Sequence, residues 1–393
     1  MSLNNTPSSE RVHIGIFGKR NAGKSSIINA ITGQNLAIVS DVKGTTTDPV
    51  LKAMELLPIG PVVVIDTPGL DDEGELGELR IQKAYQMLNK TDVAVLVVDG
   101  TIGMTKEDIS ILECIQNKKI PYVIVMNKAD LVREQGDWQG IWVSTVTGKN
   151  VNELKEAIAK LIVKEEKTKK IIGDLLNPLD FVVLVIPIDE SAPKGRLILP
   201  QQQTIRDILE AGAVPIVVKD TELAETLERL NIIPKMVITD SQVFGKVAKI
   251  VPKDIPISSF SILMARYKGN LQTVVEGAFE LNRLQDGDKI LIAEGCTHHR
   301  QCEDIGTVKL PRWIKEYTKK DVQFEFVSGT EFPTQLSSYK MIIHCGGCML
   351  NEREIANRMQ SATDQLVPIT NYGIAIAHMK GILRRSLEIF VKK

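Results

Sequence analysis

A glycine-rich loop near the amino terminus has the residue types that bind phosphate. The stretch "GIFGKRNAGKSS" has the spacing of a Walker A loop and lies between an apolar run and the helical "SSIINAITG". Glycines let backbone N–H groups curl around phosphate, a lysine reaches the outer phosphates, and a serine hydroxyl can ligate Mg²⁺. The residues expected to bind a nucleotide here are Gly18, Asn21, Ala22, Gly23, Lys24, Ser25 and Ser26.

Two further apolar runs end in polar groups suited to the same nucleotide. "VIDTPGL" places Asp66 where it can orient the magnesium ion and puts the Gly69 N–H near a γ-phosphate. "VMNKAD" offers Asn127, Lys128 and Asp130. An aspartate accepts two parallel hydrogen bonds from N1–H and the 2-amino group of guanine, a pattern that adenine cannot supply. The base is therefore predicted to be guanine.

Cysteines and histidines follow two other predicted strands in the last quarter of the chain. "EGCTHHRQCED" contains Cys296 and Cys302, and "IIHCGGC" contains Cys345 and Cys348. Loops that follow parallel strands emerge on one edge of a sheet, so the two segments can converge. The paired glycines let the backbone approach a bulky group, and the amino terminus of the helical "NEREIANRM" would stabilise thiolates.

The ligand types leave the identity of the metal open. Four cysteines, or three with a histidine, suit structural zinc. Three thiolates with a weak fourth ligand suit an iron–sulfur cluster with one open iron. A third interpretation is that no metal binds. The chain has five cysteines, and four of them fall in this quarter, which favours metal over disulfides in a reducing compartment.

These sites lie on three successive patterns of strands and helices. Residues 11 to 163 alternate apolar strand-like runs with helical stretches, which is typical of a parallel sheet covered by helices. A second alternation begins at "FVVLVIPID" and has no phosphate loop, and a third begins at "LQTVVEGAFELNRL". The predicted fold class is α/β with three domains, at 1–165, 175–265 and 270–393, and the charge run "KEEKTKK" marks the first boundary.

Composition and charge restrict the class of protein. The 393 residues are 43% hydrophobic and 25% charged with a net charge of −1, as in soluble globular chains. The totals show no basic surplus for nucleic acid, and no apolar run approaches the roughly 18 residues of a membrane span. The first residues lack the apolar core of a signal peptide. We expect a cytoplasmic protein with neither nucleic acid nor membrane as partner.

The nucleotide motifs resemble those of the Ras-like GTPases of the tRNA-modification and Era-like branch. "KGTTTD" at 43–48 looks like the first switch of that branch, in which Thr46 matches the threonine that ligates magnesium. "VSTVTGKNV" resembles the final base-binding loop, with Ser144 and with Thr145 in place of the more usual alanine. The resemblance implies an N-terminal Ras-like P-loop GTPase that hydrolyses GTP to GDP and phosphate. The residues implied to act in hydrolysis are Lys24, Ser25, Thr46, Asp66 and Gly69.

Two positions modify what this resemblance implies about hydrolysis. Leu70 stands where Ras-like proteins keep a glutamine that orients the attacking water. Asn21 matches the asparagine that helps to coordinate a potassium ion in this branch, although it could be a simple loop residue. A potassium ion would supply the positive charge that an arginine finger gives elsewhere. Slow, potassium-stimulated hydrolysis is therefore predicted.

The cysteine motif resembles a signature of another, more specific family. Cys296, Thr297 and His298, followed by "HCGGC", look like the C-x-H…H-C-x-x-C signature of the HydF-type maturation GTPases of FeFe-hydrogenase. The resemblance covers essentially the whole chain. It implies a GTPase, a dimerisation domain and a cluster domain whose three cysteines, Cys296, Cys345 and Cys348, hold a 4Fe–4S cluster. Candidates for its exchangeable fourth position are His298, His299, His344 and Glu303.

The family resemblance implies a scaffold or carrier. It would receive a di-iron precursor from two radical-SAM maturation enzymes, hold it near its own cluster and deliver it to apo-FeFe-hydrogenase. GTP would regulate partner exchange, and the chain would form a homodimer. The alternative is a tRNA-modification or ribosome-assembly GTPase with a structural zinc site. A redox enzyme that uses the cluster for electron transfer is a third class, but the sequence has no flavin or nicotinamide fingerprint.

Overall fold

The structure of the chain is a computed structural model. It describes residues 6–33, 49–57, 59–69, 75–133, 139–163, 169–188, 197–295, 304–329 and 331–390. The chain divides into two compact units. The first contains Met1–Lys167 and Asn351–Glu354, and the second contains Thr168–Leu350 and Ile355–Lys393.

The first unit contains a six-stranded sheet with helices on both faces. The strands are β1 Val12–Phe17, β2 Val50–Leu56, β3 Gly60–Asp66, β4 Val93–Asp99, β5 Tyr122–Asn127 and β6 Ile141–Trp142. The helices are α1 Lys24–Thr32, α2 Glu75–Met87, α3 Lys106–Asn117 and α4 Val151–Val163. The strand order is β2-β3-β1-β4-β5-β6, and every neighbouring pair except β2 and β3 is parallel.

The central strand β4 shows why its sequence forms this sheet. Its run "VAVLVVD" is apolar at every position before Asp99, because alternate side chains enter different cores. Val95 and Val97 pack in the cluster that contains the buried side chains of α1 and α4, whereas Leu96 and Val98 pack in the cluster of α3. The loops after β1, β3, β4 and β5 therefore emerge at the same edge of the sheet.

The antiparallel strand β2 was not predicted from the sequence. Its run "VLKAMEL" mixes polar and apolar residues, and most of it is exposed or half-buried. It pairs with β3, and the chain between the two strands is short. At this turn the Ile59 N–H donates to the Leu56 carbonyl, and Gly60 has φ 95°. An edge strand exposed to solvent needs no continuous apolar run, so the pattern of a buried strand is missing.

The second unit contains two four-stranded sheets. The first has β7 Phe181–Val185, β8 Val214–Val218, β9 Met236–Thr239 and β10 Ile257–Ser259, and the second has β11 Lys289–Ala293, β12 Gln323–Val327, β13 Met341–His344 and β14 Ile369–Asn371. Their orders are β10-β9-β7-β8 and β12-β11-β13-β14, with all pairs parallel. The α/β class predicted from the sequence is confirmed.

Helices connect and cover these strands. They are α5 Leu199–Glu210, α6 Leu223–Arg229, α7 Phe244–Ile250, α8 Phe260–Tyr267, α9 Leu271–Ala278, α10 Leu310–Thr318, α11 Glu352–Asp364, α12 Tyr372–Met379 and α13 Leu383–Leu387. Short 3₁₀ segments are Ser8–Glu10, Leu88–Lys90, Gly173–Leu175, Phe279–Arg283 and Glu388–Phe390, and Ile305–Lys309 forms a π-helical turn. Within the described ranges, no helix has both the length and the apolar character needed to span a membrane.

The two sheets of the second unit share one hydrophobic cluster. The cluster includes Val183 of β7 and Phe244 of α7 together with Leu291 and Ile342 of the second sheet. All four side chains are fully buried. The predicted boundary at 265–270 lies where α8 ends and α9 begins, and the three-domain division stays a prediction.

Strand β10 was not predicted, because prolines interrupt the apolar pattern around it. It lies at a sheet edge, where a nearby proline is tolerated.

Candidate functional site

The predicted phosphate-binding loop connects β1 to α1 and requires glycine at two positions. Gly18 has φ 142° and Gly23 has φ 94°, conformations that side chains rarely adopt. A Cβ at Gly18 would overlap with the Val97 carbonyl oxygen, and a Cβ at Gly23 would overlap with the Asn127 amide nitrogen. The loop thus passes directly over β4 and β5, with α1 beginning at its end.

Lys24 places its positive charge inside this loop. The Nζ atom donates to the carbonyl oxygens of Gly18 at 2.9 Å and Lys19 at 2.8 Å, and the residue is only 9% exposed. These bonds hold the ammonium at the loop where phosphate oxygens would lie. A helix amino terminus and a lysine at one position favour an anion.

Ser25 and Asp66 lie together beside Lys24. The Ser25 hydroxyl is 3.5 Å from Asp66 Oδ2, and Asp66 ends β3 in a buried position. Burial raises the pKa of Asp66, and the charges of Lys24 and Lys52 only partly oppose that rise. A hydroxyl and a buried carboxylate are oxygen ligands that suit Mg²⁺, and a divalent cation would favour the ionised carboxylate. The residues therefore fit the metal predicted here.

The segment after β3 lies against the loop. The Thr67 hydroxyl donates to the Ile16 carbonyl at 2.6 Å. A Cβ at Gly69 would lie 2.9 Å from Arg20 Cβ and 3.0 Å from the Arg20 nitrogen, so this approach also requires glycine. The predicted γ-phosphate contact of Gly69 therefore lies beside the phosphate loop.

The "NKAD" segment contacts the same loop through its first residue. Asn127 Nδ2 donates to the Ala22 carbonyl at 2.9 Å, and Asn127 Oδ1 is buried without a hydrogen-bond partner among the described residues. An orphaned buried acceptor fits a site that a ligand completes. The Ser144 hydroxyl donates to Asp130 Oδ1 at 2.6 Å and accepts from the Thr147 N–H at 3.2 Å, which orients the exposed Asp130 carboxylate.

Asp99 is a site residue that sequence reasoning missed. It ends β4, and its Oδ2 accepts from Lys128 Nζ at 2.5 Å. Burial would raise the pKa of Asp99, but hydrogen bonds from Lys128 and Thr101 hold the pKa below its usual value. The ion pair fixes Lys128, whose backbone is left-handed with φ 63°. The only signal in the sequence was an acidic residue at the end of an apolar run.

The cysteine loops follow two neighbouring strands of the last sheet, as predicted. In the register of β11 and β13, Ala293 lies beside His344, and the Cys345 N–H donates to the Ala293 carbonyl at 2.8 Å. The N–H groups of Gly295 and Gly347 point at Cys345 Sγ, at 3.0 and 3.3 Å. Burial raises the pKa of the Cys345 thiol, and these two N–H groups oppose the rise.

The two glycines between Cys345 and Cys348 differ in the space around them. Nothing lies within 4 Å of a Cβ added at Gly346, whereas a Cβ at Gly347 would overlap with Ile355, and Gly347 has φ 61°. Burial also raises the pKa of Cys348, and the charge of Lys268 opposes that rise. Thiolates with N–H donors and a nearby cation fit a metal or cluster that carries negative charge.

His344 already has partners for both ring nitrogens. Its Nε2 lies 3.1 Å from Arg358 Nη1 and its Nδ1 lies 2.7 Å from the Cys345 carbonyl oxygen. A guanidinium only donates, so Nε2 accepts and Nδ1 carries the proton. Burial and the Arg358 charge lower the pKa of His344 to about 3. In this arrangement the ring holds the Cys345 backbone, and its role as a metal ligand stays a prediction.

Glu294 and Tyr372 also lie beside the cysteines and were missed from the sequence. Glu294 follows β11 and is buried, and the Tyr372 hydroxyl donates to Glu294 Oε1 at 3.2 Å. Burial, with the charges of Cys345 and Glu294, raises the pKa of Tyr372 well above its usual value. Glu294 directly follows the apolar run "KILIA", which was the one available signal.

Several residues singled out in the sequence lie outside the described residues. From the nucleotide motifs they are the predicted site residue Thr46 and also Leu70; from the cysteine motif they are the predicted ligand Cys296, the candidates His298, His299 and Glu303, and also Cys302. Within the described ranges, no group of three or more His, Cys, Asp or Glu residues is placed to hold a metal ion. The metal site assigned from the sequence therefore stays a prediction.

Comparison with protein-family models gives three matches along the chain. Residues 13–128 match a model described as a 50S ribosome-binding GTPase. Residues 171–269 match the hydrogen maturase F dimerization domain, and residues 272–389 match the hydrogen maturase F tetramerization domain. The last two models together span more than half of the chain, and their descriptions suggest that the chain forms oligomers.

Curated relatives match mainly the first part of the chain. The tRNA modification GTPases MnmE of Nitrosomonas eutropha and Chromobacterium violaceum are 33% and 36% identical over 160 residues, which is 39% of this chain and 35% of each relative. The GTPase Era of Rippkaea orientalis is 29% identical over 234 residues, 55% of this chain and 70% of that protein. The chain thus spans about a third of the length of the tRNA modification GTPases it matches.

Solved structures also resemble part of the chain. Era in complex with MgGDPNP and nucleotides of 16S ribosomal RNA covers 53% of this chain and 91% of its own, with 19% identity and a TM-score of 0.35. The G domain of the T. maritima FeoB iron transporter covers 39% of this chain and 99% of its own, with 23% identity and a TM-score of 0.30.

Proposed function

Because the chain belongs to the HydF-type hydrogenase maturases with a GTPase domain, we propose that it is a scaffold that holds a 4Fe–4S cluster and a di-iron precursor and delivers the precursor to apo-FeFe-hydrogenase. Hydrogenase maturation by a GTP-binding enzyme follows from the family. The cluster, the precursor and its delivery are the proposal. Its partners would be two radical-SAM maturation enzymes and the apo-hydrogenase, in the cytoplasm.

One observation carries the cluster part of the proposal. The Gly295 N–H donates to Cys345 Sγ, so the loop after β11 begins in contact with a thiol of the loop after β13. Cys296 is the next residue after Gly295 in the sequence. Cys296, Cys345 and Cys348 therefore follow two adjacent parallel strands. Three thiolates at one sheet edge suit a 4Fe–4S cluster, which when bound offers one iron whose remaining ligand can exchange.

The surrounding residues have the chemistry to hold such a group. The N–H groups of Gly295 and Gly347 point at Cys345 Sγ, and the Lys268 ammonium donates to carbonyls on either side of Cys348. These donors and this charge would offset the cost of burying thiolates in a bound cluster. His344 donates to the Cys345 carbonyl and keeps that residue in place. The exchangeable fourth position is proposed for His298, His344 or Glu303.

The nucleotide site supports the proposed regulation by GTP. We assign guanine recognition to Asp130, held by Ser144, and assign Mg²⁺ binding to Ser25, Thr46 and Asp66. Asn21 lies exposed in the phosphate loop with φ 58°, a left-handed conformation that asparagine tolerates. Its side chain is therefore our candidate ligand for a potassium ion.

Potassium should stimulate GTP hydrolysis through Asn21. We expect turnover to rise about tenfold when potassium replaces sodium at equal ionic strength, less than the roughly 10²–10³ that a preorganised donor contributes. Asn21→Ala should remove this difference. Phosphate release measured in both salts tests the effect.

A second asparagine serves as the control for this test. Asn117 lies exposed at the end of α3, so Asn117→Ala should keep the full potassium response. Equal wild-type rates in both salts would contradict the assignment of a potassium site. A response that survives Asn21→Ala would remove Asn21 from it.

Metal analysis separates the proposal from its alternative. The alternative function is a tRNA-modification or ribosome-assembly GTPase with a structural zinc site. It stays the second candidate because a tRNA modification GTPase and Era are among the relatives of this chain. Protein prepared without oxygen should contain about four iron and four sulfide per chain, with a broad cluster absorption band. One zinc per chain and no sulfide would favour the alternative.

A further inference from the structure

The segment between α8 and α9 holds one lysine in a fixed position. The Lys268 N–H donates to the Met264 carbonyl at 3.0 Å, and the Asn270 N–H donates to the Ala265 carbonyl at 3.0 Å. Gly269 between them has φ 77°. A left-handed glycine with these bonds closes a helix tightly. The Lys268 side chain therefore starts from a rigid backbone.

The Lys268 ammonium reaches the loop that contains Cys345 and Cys348. It donates a short hydrogen bond to the Gly347 carbonyl and a second bond, of 3.2 Å, to the Leu350 carbonyl. These two carbonyls lie on either side of Cys348 in the sequence. The ammonium therefore fixes the backbone around one proposed cluster ligand.

The same lysine brings positive charge to the cysteine side of the sheet. Lys268 and Asn270 line one cavity with His344, Cys345 and Gly346. The Asn270 Oδ1 atom is buried and has no hydrogen-bond partner among the described residues. An anionic group bound by these cysteines would feel this charge at low screening.

We propose that Lys268 is a positioning residue for the iron–sulfur cluster: its hydrogen bonds hold the Cys345–Cys348 loop, and its charge raises the reduction potential of the cluster. This inference rests on the proposed cluster site. Adding one electron makes a cluster more negative, so a nearby cation favours the reduced form. Lys268 lies near the end of the region that matches the dimerization model, 171–269, and the region that matches the tetramerization model begins at 272.

Three substitutions separate the hydrogen bonds from the charge. Lys268→Gln keeps a donor for the loop carbonyls but removes the charge, so iron content should stay near wild type while the potential falls. We expect a tenfold lower ratio of reduced to oxidised cluster at a fixed potential, about 59 mV for one electron. Lys268→Arg keeps the charge and should stay within about twofold of the wild-type ratio. Lys268→Met removes both, so it should lower the potential and also lose iron.

Lys315→Met is the matched control. Lys315 lies in α10, and its Nζ donates to Asp321 at 2.8 Å. Asp321 is exposed and lies shortly before β12, which begins at Gln323. That is the amino edge of the sheet, opposite the edge from which the cysteine loops emerge. The control removes the same charge from the same unit, and neither the potential nor the iron content should change.

The measurement is a redox titration of whole anaerobic protein followed by electron paramagnetic resonance, with iron and sulfide analysis of each variant. A lowered potential in Lys268→Gln and Lys268→Met, with Lys268→Arg and Lys315→Met unchanged, supports the inference. If wild type holds a cluster and Lys268→Gln has the wild-type potential, the inference is wrong while the proposed function stands. If wild type holds no cluster, both are wrong. Circular dichroism shows whether Lys268→Met is folded, and Lys268→Gln decides the outcome if it is not.

Discussion

Cys345→Ser protein prepared without oxygen is expected to contain at least about tenfold less iron and sulfide than wild type, because serine replaces a thiolate ligand of the cluster. The substitution also removes the sulfur that accepts the N–H groups of Gly295 and Gly347. GTP turnover should stay near the wild-type rate, since the nucleotide-site residues belong to the first unit. Iron and sulfide analysis, the absorption spectrum and phosphate release test these expectations on one preparation.

Another cysteine of the chain controls for the loss of a thiol. Cys114 is half-buried in α3 and packs against the apolar cluster of the first unit. Cys114→Ser should therefore keep the full iron content. A Cys345→Ser protein with wild-type iron and an unchanged spectrum would remove Cys345 from the cluster site.

Asp130→Asn is expected to exchange the base preference of the nucleotide site. The carboxylate would accept two hydrogen bonds from guanine, each worth about 1.5–3 kcal/mol with a charged acceptor, so GTP affinity should fall about 10²- to 10⁴-fold. Asparagine offers one donor and one acceptor, which suit the 2-oxo group and N1–H of xanthine. Xanthosine triphosphate should therefore bind more tightly to Asp130→Asn than to wild type. Direct titration with both nucleotides measures the change.

The control for this change removes the same charge from the same unit. Glu153 is exposed in the first turn of α4, so Glu153→Gln should leave both affinities unchanged. An unchanged preference for GTP in Asp130→Asn would exclude Asp130 from the base site. Loss of binding to both nucleotides would show that Asp130 supports the fold of the loop instead.

Local sequence patterns predicted the parts of the site that depend on backbone geometry. The spacing of Gly18 and Gly23 predicted the phosphate loop. Both glycines have backbone conformations that other residues rarely adopt, which explains why the loop can be recognised from its glycines. The apolar runs before Asp66 and Asn127 predicted strands, and parallel strands end at one edge. The convergence of the loops after β11 and β13 was predicted on the same grounds, and the structure places Gly295 against Cys345.

The contacts that sequence patterns did not predict join residues that are distant in the chain. Asp99 pairs with Lys128, His344 with Arg358, and Lys268 with the loop of Gly347. Such partners depend on which strands are neighbours and on side-chain reach, and neither follows from local periodicity. At His344, a predicted candidate for the fourth position, the bond from Arg358 Nη1 to Nε2 and the lowering of the pKa to about 3 by burial likewise did not follow from spacing.

Activation of apo-FeFe-hydrogenase tests the central claim most directly. The chain would be purified without oxygen after co-expression with its two radical-SAM partner enzymes and then mixed with apo-hydrogenase. We predict that wild-type protein restores hydrogen evolution and that Cys345→Ser protein does not, although both hydrolyse GTP. Wild-type protein that carries only zinc and leaves the apo-hydrogenase inactive would contradict the scaffold function.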